Sequence, residues 1–203
     1  MHETGSLEEL RGILGECDRC QLCQNRSKIV FGYGNPDARL MFVGEGPGRA
    51  EDAQGLPFVG PAGKLLDDLL SGIGLKRADV YITNVVKCRP PGNRDPLPIE
   101  IDMCNPFLQE QIKLIHPSVV CQLGRIAATV MMKRSIQISK IHGQKYIGSG
   151  YFNVPVFHPA AALRTPSTRG LLLEDFANLK IYLDQEESPP EPSPPQPEQM
   201  GLF

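Results

Sequence analysis

An apolar run followed at once by a glycine-rich turn constrains the fold of this chain more than any other feature. Residues 40–43 (LMFV) are all hydrophobic, and residues 44–48 (GEGPG) follow directly. A short apolar run bounded by glycines is typical of a buried strand that enters a tight turn. In an open α/β sheet, such turns lie at the carboxyl ends of the strands, where ligands bind. We therefore expect a binding crevice here, with the Glu45 carboxylate inside it.

The other hydrophobic segments alternate between strand-like and helix-like patterns. We expect strands at about 39–44, 80–87, 118–123 and 154–157, and helices at about 6–15, 61–73, 99–115, 124–132 and 169–184. The glycine-rich residues 136–150 are expected to form a hairpin, and residues 160–166 a loop. Strands that alternate with helices predict a parallel sheet covered on both faces.

Length and composition indicate one globular domain with an appendage. The chain has 203 residues, of which 41% are hydrophobic and 22% charged, which is enough to bury a core. It contains no apolar run of membrane length and no signal-peptide pattern, so we expect a cytoplasmic protein. We also expect a monomer. The predicted domain covers residues 1–185, and residues 186–203 form the appendage.

The appendage changes how the net charge of −2 should be interpreted. Residues 186–203 hold four acidic side chains and no basic ones, which leaves 21 basic and 19 acidic side chains in the domain. That balance of +2 is compatible with DNA binding without requiring it. Residues 188–198 contain six prolines and no apolar side chain to bury, so they are expected to form an extended, disordered tether.

Six cysteines in a cytoplasmic chain indicate metal or redox chemistry before disulfides. The pair Cys17-x-x-Cys20 and the distant Cys88 and Cys104 suit either a tetrahedral zinc ion or a [4Fe–4S] cluster, and spacing does not separate the two. Cys23 is a competing ligand. The last cysteine, at position 121, lies in a predicted strand, where a lone cysteine usually acts as a small hydrophobe. Four unrelated reduced thiols remain the alternative.

Two polar residues, Glu45 and His158, follow predicted strands, and a third, Asn84, lies inside one. Glu45 is either an active carboxylate or a structural acceptor of N–H bonds in the glycine turn. The side-chain amide of Asn84 matches the donor and acceptor on the edge of a pyrimidine, but it equally suits a buried asparagine that satisfies the backbone. His158 has an imidazole able to donate to an oxygen that gains charge, although a lone histidine is more often structural.

Basic residues accompany these strand ends. Leu163 and Arg164 follow a run of alanines and suit an apolar wedge that enters a base stack with a phosphate contact beside it. Lys87, Arg89 and Arg94 add positive charge near two prolines. An ordinary solvated basic loop is the alternative for these three.

Three separated motifs together resemble one enzyme family. The motifs are GEGPG-x-x-ED-x-x-G-x-PFVG-x-AG, YITNVVKCRPP-x-NRDP and FHPA, within a match over residues 17–183. They closely resemble the family 4 uracil-DNA glycosylases, the iron–sulfur branch of that superfamily. The resemblance implies an α/β/α sandwich on a four-stranded parallel sheet. It also implies a monofunctional glycosylase that hydrolyses the N-glycosidic bond of deoxyuridine in single- and double-stranded DNA and initiates base excision repair.

The resemblance also implies roles for individual residues. Its [4Fe–4S] ligands are Cys17, Cys20, Cys88 and Cys104, whereas Cys23 falls outside the ligand set. Its pocket residues are Phe58, which stacks on uracil; Asn84, which contacts the polar edge of the base; Glu45, which positions the attacking water; Glu51, which assists it; His158, which stabilises charge on uracil O2; and Gly46, the third residue of the first motif. A non-catalytic iron–sulfur module that binds DNA or the replisome is the competing interpretation, and retention of these pocket residues favours the enzyme.

The end of the chain carries a further resemblance. Gln199, Leu202 and Phe203 match the Gln-x-x-Leu-Phe peptide by which bacterial repair proteins bind the replication sliding clamp. An apolar terminus on a polar tether has no core to join, which favours a partner. Packing of this segment on the domain is the alternative.

Overall fold

The computed structural model describes residues 4–185. The strands are β1 (Tyr33–Gly34), β2 (Leu40–Gly44), β3 (Tyr81–Asn84), β4 (Val119–Leu123), β5 (Tyr146–Ile147) and β6 (Phe152–Val156). The helices are α1 (Leu7–Leu14), α2 (Arg49–Gln54), α3 (Pro61–Gly72), α4 (Pro98–Ile115), α5 (Arg125–Met132), α6 (Ile138–Ile141), α7 (Pro159–Ala162) and α8 (Pro166–Asp184). Each predicted strand and each predicted helix is present, with shifts of a few residues at the ends.

The strands form one sheet in the order β1-β3-β2-β4-β6-β5. The four central strands are parallel, and the two edge strands pair antiparallel to them. The predicted four-stranded parallel sheet is therefore confirmed as the centre of a six-stranded mixed sheet. Each edge strand is only two residues long, which is too short to produce an alternating pattern in the sequence.

Helices cover both faces of the sheet, as the alternation of elements predicted. On one face, α3, α7 and α8 pack against alternate residues of the four central strands, including Phe42 and Val154. On the other face, α4 and α5 pack against the intervening residues, including Met41 and Val120. Side chains of successive strand residues point to opposite faces, and both faces are covered, so the central strands form a buried middle layer. They are mostly apolar, and their buried polar residues are Thr83, Asn84, Gln122 and Asn153.

Helix α1 brings the N-terminal segment to the outside of α4. It begins at Ser6, whose side chain accepts a hydrogen bond from the Glu9 N–H at 3.1 Å, a standard N-cap. Leu10 and Leu14 then pack against Phe107 of α4. The chain leaving α1 therefore passes close to the helix that carries Cys104.

Two local predictions were wrong in part. The predicted hairpin at 136–150 contains the short helix α6 instead, and the hairpin formed by β5 and β6 lies further along the chain. The predicted loop at 160–166 begins as helix α7, because Pro159 occupies the first helical position and three alanines follow it.

Several predictions concern features that the structure does not test. The appendage over 186–203, with the clamp-like motif at Gln199, Leu202 and Phe203, lies outside the described residues. Within residues 4–185, no helix is both long enough and apolar enough to cross a lipid bilayer. The expected cytoplasmic location and monomeric state stay predictions.

Candidate active site

The carboxyl ends of the four central strands meet at one edge of the sheet and open into a crevice of about 430 Å³. This position is the one that an open α/β sheet provides for a ligand. The crevice is lined by residues that the sequence analysis had singled out, namely Glu45, Gly46, Glu51, Phe58, Asn84, His158 and Arg164. Residues separated by more than a hundred positions in the chain thus share one site.

The floor of the crevice is formed by Gly44 and Asn84, which are paired in strands β2 and β3. A Cβ atom at position 44 would overlap the side-chain oxygen of Asn84 and lie 2.8 Å from the ring of Phe58. Asn84 is 1% exposed, and its side-chain oxygen has no hydrogen-bond partner among the described residues. A buried, unpartnered acceptor is costly, so this oxygen is suited to a donor supplied by a ligand.

Phe58 stands over this floor in an unusual backbone conformation. Its φ is 52°, a region that non-glycine residues rarely adopt. The guanidinium of Arg77 donates to the carbonyl oxygens of Pro57, at 3.0 Å, and Phe58. The centroid of the Phe58 ring lies 5.7 Å from that of the His158 ring, with an interplanar angle of 30°. The loop is therefore held in the conformation that presents the ring to the crevice.

Glu51 holds the same loop from the other side. Its Oε1 accepts hydrogen bonds from the N–H groups of Val59 and Gly60, both at 2.9 Å, immediately before α3 begins. The carboxylate also lines the crevice, and its charge raises the pKa of His158 slightly against the effect of burial. Glu51 therefore faces the crevice and also fixes the loop that carries Phe58.

Glu45 is half-buried, and burial raises the pKa of its carboxyl group above the ordinary value of 4.5. The charge of Asp95 raises this pKa further, and that of Arg125 lowers it. Asp95 and Arg125 themselves form an ion pair at 3.0 Å. Sequence reasoning missed this pair. Asp95 belongs to the NRDP segment of the second motif. Arg125 comes just after the end of β4, so its position at a strand end was the signal that could have identified it.

His158 follows strand β6 and caps helix α7. Its Nδ1 accepts a hydrogen bond from the Ala160 N–H at 3.1 Å, so in the neutral ring the proton is on Nε2. Burial lowers the pKa of this imidazole to about 4. At neutral pH the residue is therefore an uncharged donor with one N–H, and it lines the crevice opposite Glu45.

Arg164 lines the crevice, and Leu163 precedes it directly in the chain. Leu163 immediately follows α7 and is 50% exposed. An apolar side chain is thus accessible to solvent beside a cation that faces the crevice. The arrangement leaves the predicted wedge available to a partner outside the protein.

The four predicted cluster ligands line a second cavity together. Cys17 and Cys20 come from the segment after α1, Cys88 follows β3, and Cys104 lies on α4. Cys23 does not line this cavity, and the remaining cysteine is fully buried in β4. Within residues 4–185, no group of three or more His, Cys, Asp or Glu side chains lies close enough together, as the chain stands, to hold a metal ion.

The chemistry of this second cavity nonetheless fits an iron–sulfur cluster. The pKa of Cys88 is raised to about 11 and that of Cys104 is also raised, in both cases first by burial and then by neighbouring cysteines. The thiolate forms are therefore unfavourable in this cavity unless a cation binds them. The Lys87 N–H donates to Cys104 Sγ at 3.3 Å, and Arg26 donates to Cys88 Sγ at 3.5 Å. Hydrogen bonds of this kind surround thiolate ligands in cluster sites.

The three basic residues differ in exposure, because Lys87 is buried whereas Arg89 and Arg94 are partly exposed. Lys87 is fully buried, and burial lowers its pKa to about 8. Arg94 forms a bidentate ion pair with Glu100, at 2.9 and 2.7 Å, and Arg89 donates to the side chain of Asn93 at 2.8 Å. Only Arg94 of these three cations lines the crevice.

Comparison with known proteins identifies the class to which this fold and site belong. The family model described as the uracil DNA glycosylase superfamily matches residues 31–181. The type-4 uracil-DNA glycosylase of Thermotoga maritima is 45% identical over 188 residues, which cover 88% of this chain and 97% of that protein. The type-4 enzyme of Sulfurisphaera tokodaii is 44% identical over 184 residues, which cover 86% and 84%.

A solved structure supports the fold alone. The crystal structure of SMUG2 from Pedobacter heparinus superposes with a TM-score of 0.51 at 14% identity, covering 71% of this chain and 76% of that one. The chain belongs to the uracil-DNA glycosylase superfamily, and within it to the type-4 uracil-DNA glycosylases. The family resemblance inferred from the three motifs is thereby confirmed.

Proposed function

We propose that this protein is a monofunctional uracil-DNA glycosylase, which hydrolyses the N-glycosidic bond of deoxyuridine in DNA, releases uracil and leaves an abasic site. The observation that carries the proposal is the crevice at the strand ends. It holds an aromatic ring, an amide with an unpartnered oxygen, a neutral imidazole donor and a carboxylate of raised pKa. The names of the relatives, which are 42–45% identical, support the same activity.

The ring of Phe58 and the amide of Asn84 account for base binding. A flat pyrimidine stacks on the face of the ring that lines the crevice. The unpartnered Asn84 oxygen accepts from the uracil N3–H, and the amide nitrogen donates to a neighbouring carbonyl of the base. Because cytosine presents an acceptor at N3 and a donor at C4, the amide in this orientation favours uracil.

His158 and Glu45 account for bond cleavage. As the bond from the sugar carbon C1′ to the base nitrogen N1 breaks, its electrons move onto the base and charge builds on O2. The Nε2–H of neutral His158 donates to that oxygen and stabilises the charge without losing its proton. The Glu45 carboxylate orients a water molecule toward C1′, and its negative charge stabilises the developing positive charge on the sugar. The water oxygen bonds to C1′ and its proton passes to the Glu45 carboxylate, while uracil leaves as an anion that solvent then protonates.

Leu163 and Arg164 account for access to a base within a duplex. A glycosylase reaches its bond only after the nucleotide has left the stack. Insertion of the exposed Leu163 fills the vacated space, and Arg164 contacts a phosphate beside it. Single-stranded DNA requires no such insertion, so we propose that both forms are substrates.

The second cavity is proposed to bind a [4Fe–4S] cluster through Cys17, Cys20, Cys88 and Cys104. When bound, such a cluster supplies a cross-link between segments that are distant in sequence. Here the cross-link would join the N-terminal segment to α4 and to the chain that follows β3. That chain continues from Asn84, so the cofactor would stabilise one wall of the base-binding crevice.

The chain end is proposed to be a tether to the replication sliding clamp through Gln199, Leu202 and Phe203. The support is the sequence motif at the end of a proline-rich segment. A protein ending at residue 185 should lose clamp binding and keep its activity on free oligonucleotides. Equal clamp binding by the full-length and shortened proteins would contradict this part of the proposal.

A fluorescent oligonucleotide with one deoxyuridine tests the enzymatic proposal. After incubation with the protein, alkali cleaves any abasic site, and the fragment is measured by electrophoresis. Single-stranded, U·G and U·A substrates should be cleaved, whereas a matched thymine substrate should remain intact. Absence of cleavage by protein that retains its iron would favour the non-catalytic binding module instead.

A further inference from the structure

The side chain of Lys87 makes contacts that the proposed reaction does not explain. Its ammonium nitrogen lies 2.6 Å from Thr83 Oγ1, 2.8 Å from the main-chain oxygen of Asn84 and 2.6 Å from Gln111 Oε1. An ammonium group has three N–H donors, whereas a neutral amine has a lone pair that would face one of these oxygens. The three acceptors therefore fit the charged form of a side chain that is completely buried.

A buried ammonium group is costly unless a negative charge lies nearby. The three acceptors of Lys87 are all neutral. Cys104 lies on α4, the same helix as Gln111, whose side-chain oxygen accepts from the ammonium. Lys87 also lines the cysteine cavity, and its main-chain N–H donates to Cys104 Sγ. The cysteines, as thiolates, are thus the source of compensating charge that the fold offers.

The same ammonium group holds the strand end that forms the floor of the base crevice. It bonds the carbonyl of Asn84, whose side chain presents the unpartnered oxygen. Through Gln111 it also bonds α4, the helix that carries Cys104. Gln111 and Thr83 in turn both donate to the carbonyl of Phe31, at 2.9 and 2.8 Å. Lys87 therefore contacts the cysteine cavity through its main-chain N–H, and through its side chain it holds the residue whose amide faces the crevice.

We propose that Lys87 is a positioning residue that fixes Asn84 for base binding and is the counter-charge of the cysteine cluster, so that the two sites are coupled through one buried ammonium group. The inference rests on the proposed function for the identity of the base and on the proposed cluster for the negative charge. It assigns to Lys87 two effects that substitutions can separate.

Two variants separate the effects, and a third is the control. Lys87→Met retains an unbranched chain of similar length but removes the charge and the three hydrogen bonds. Gln111→Glu keeps the ammonium and its contact with Asn84, gives up the bond from Gln111 to the Phe31 carbonyl, and places a carboxylate beside the ammonium, which neutralises its charge locally. Lys180→Met removes an exposed lysine from the last turn of α8, remote from both sites. All are compared as iron-containing proteins with measured iron and sulfide contents.

Two measurements are made on each protein. The first is the rate at which ferricyanide bleaches the visible absorbance of the cluster, which reports the ease of its oxidation. Removing a nearby positive charge makes oxidation easier, so both Lys87→Met and Gln111→Glu should lose the absorbance faster than wild type.

The second measurement is the inhibition of oligonucleotide cleavage by free uracil. Lys87→Met should bind uracil roughly tenfold more weakly, because a bond from a charged donor to the Asn84 carbonyl is lost. Gln111→Glu should bind uracil as wild type does.

Each part of the inference has a result that overturns it. Wild-type bleaching rates in Gln111→Glu would overturn the counter-charge role, and this variant decides that question even if Lys87→Met does not fold. Wild-type uracil inhibition in Lys87→Met would overturn the positioning role, as would an equal weakening in Lys180→Met. Failure of the wild-type protein to release uracil would instead refute the proposed function, while the order of the bleaching rates would still test the counter-charge role.

Discussion

Gly44 and Asn84 are paired residues of neighbouring parallel strands, and any side chain at position 44 would overlap the amide oxygen of Asn84. The glycine that ends the apolar run is therefore required by the close approach of the Asn84 side chain. The same missing side chain leaves space for the ring of Phe58, whose nearest atoms would lie 2.8 Å from a Cβ atom. One position thus sets the placement of both groups proposed to hold the base.

The first prediction follows from this contact. Gly44→Ala should lower the single-turnover rate of uracil release by about 10²-fold or more, because displacement of a binding group by about an ångström misaligns the substrate. Gly72→Ala is the matched control, since a Cβ atom at the end of α3 meets nothing within 4 Å. Its rate should equal that of wild type. A Gly44→Ala protein as active as the control would show that the floor does not position the base.

The second prediction concerns Arg77, which secures the loop of Phe58. Arg77→Met should lower the free energy of unfolding by about 2 kcal/mol, because the charged hydrogen bonds to main-chain carbonyls are lost. It should also raise the KM for uracil-containing DNA. Asp67→Asn removes only the half-exposed ion-pair partner of Arg77 and should cost less than about 1 kcal/mol. Urea unfolding and steady-state kinetics measure both. Equal effects in the two variants would argue against a role for the carbonyl contacts.

The third prediction is a pH profile whose acid limb belongs to Glu45. The carboxylate form is required, and its pKa is raised above 4.5, so kcat/KM should fall as the pH decreases through a value above 4.5. The pKa of His158 is about 4, so this imidazole stays neutral over the same range and does not produce the limb. Glu45→Gln should lose the limb together with most of the activity. His158→Gln should be slower but keep the limb, and the reverse pattern would contradict these assignments.

The fourth prediction distinguishes the cysteines. Each of the four single serine variants should have a lower iron content per chain and a lower visible absorbance. The substituted residues are Cys17, Cys20, Cys88 and Cys104. Serine at Cys23, which does not line the cavity, should retain both. Iron analysis of proteins purified without oxygen provides the measurement. Loss of iron from the Cys23 variant with retention in the Cys17 variant would exchange these two residues in the ligand set.

The fifth prediction concerns the wedge. Leu163→Ala should slow uracil release from duplex DNA by roughly tenfold, since the unstacked nucleotide is no longer replaced, and should affect single-stranded DNA much less. Leu173→Ala is the control, because Leu173 is similarly exposed, at 53%, on α8. It should leave both rates unchanged. Equal losses on the two forms of DNA would remove the wedge role.

Much of the fold could be predicted because its central strands are continuous apolar runs. Residues 40–43 and 119–121 are buried on both faces, so their hydrophobicity alone marks them as strands. The edge strands could not be predicted, because each is only two residues long and its pairing depends on the neighbouring strand. The hairpin at 136–150 was placed from glycine content, which marks turns without specifying what lies between them.

The residues of the candidate site could likewise be predicted only in part. Glu45 and His158 could be located because each directly follows a predicted strand. Asn84 was noticed as a polar residue inside the predicted strand 80–87, and the structure ends that strand at Asn84. Arg77 could not, because it acts on main-chain carbonyls, and such contacts leave no pattern in the sequence of the loop they hold. Lys87 looked like part of a surface loop, since a buried lysine is recognised only from the acceptors that the fold gathers around it.

The central claim is the hydrolysis of deoxyuridine in DNA, and counting both products tests it most directly. A labelled duplex with one U·G pair is incubated with excess protein, and free uracil and abasic sites are measured before any alkali is added. The account predicts one uracil per abasic site, an intact strand until alkali is added, and no base released from a matched T·G duplex. Bound DNA without free uracil, or strand cleavage before alkali treatment, would contradict it.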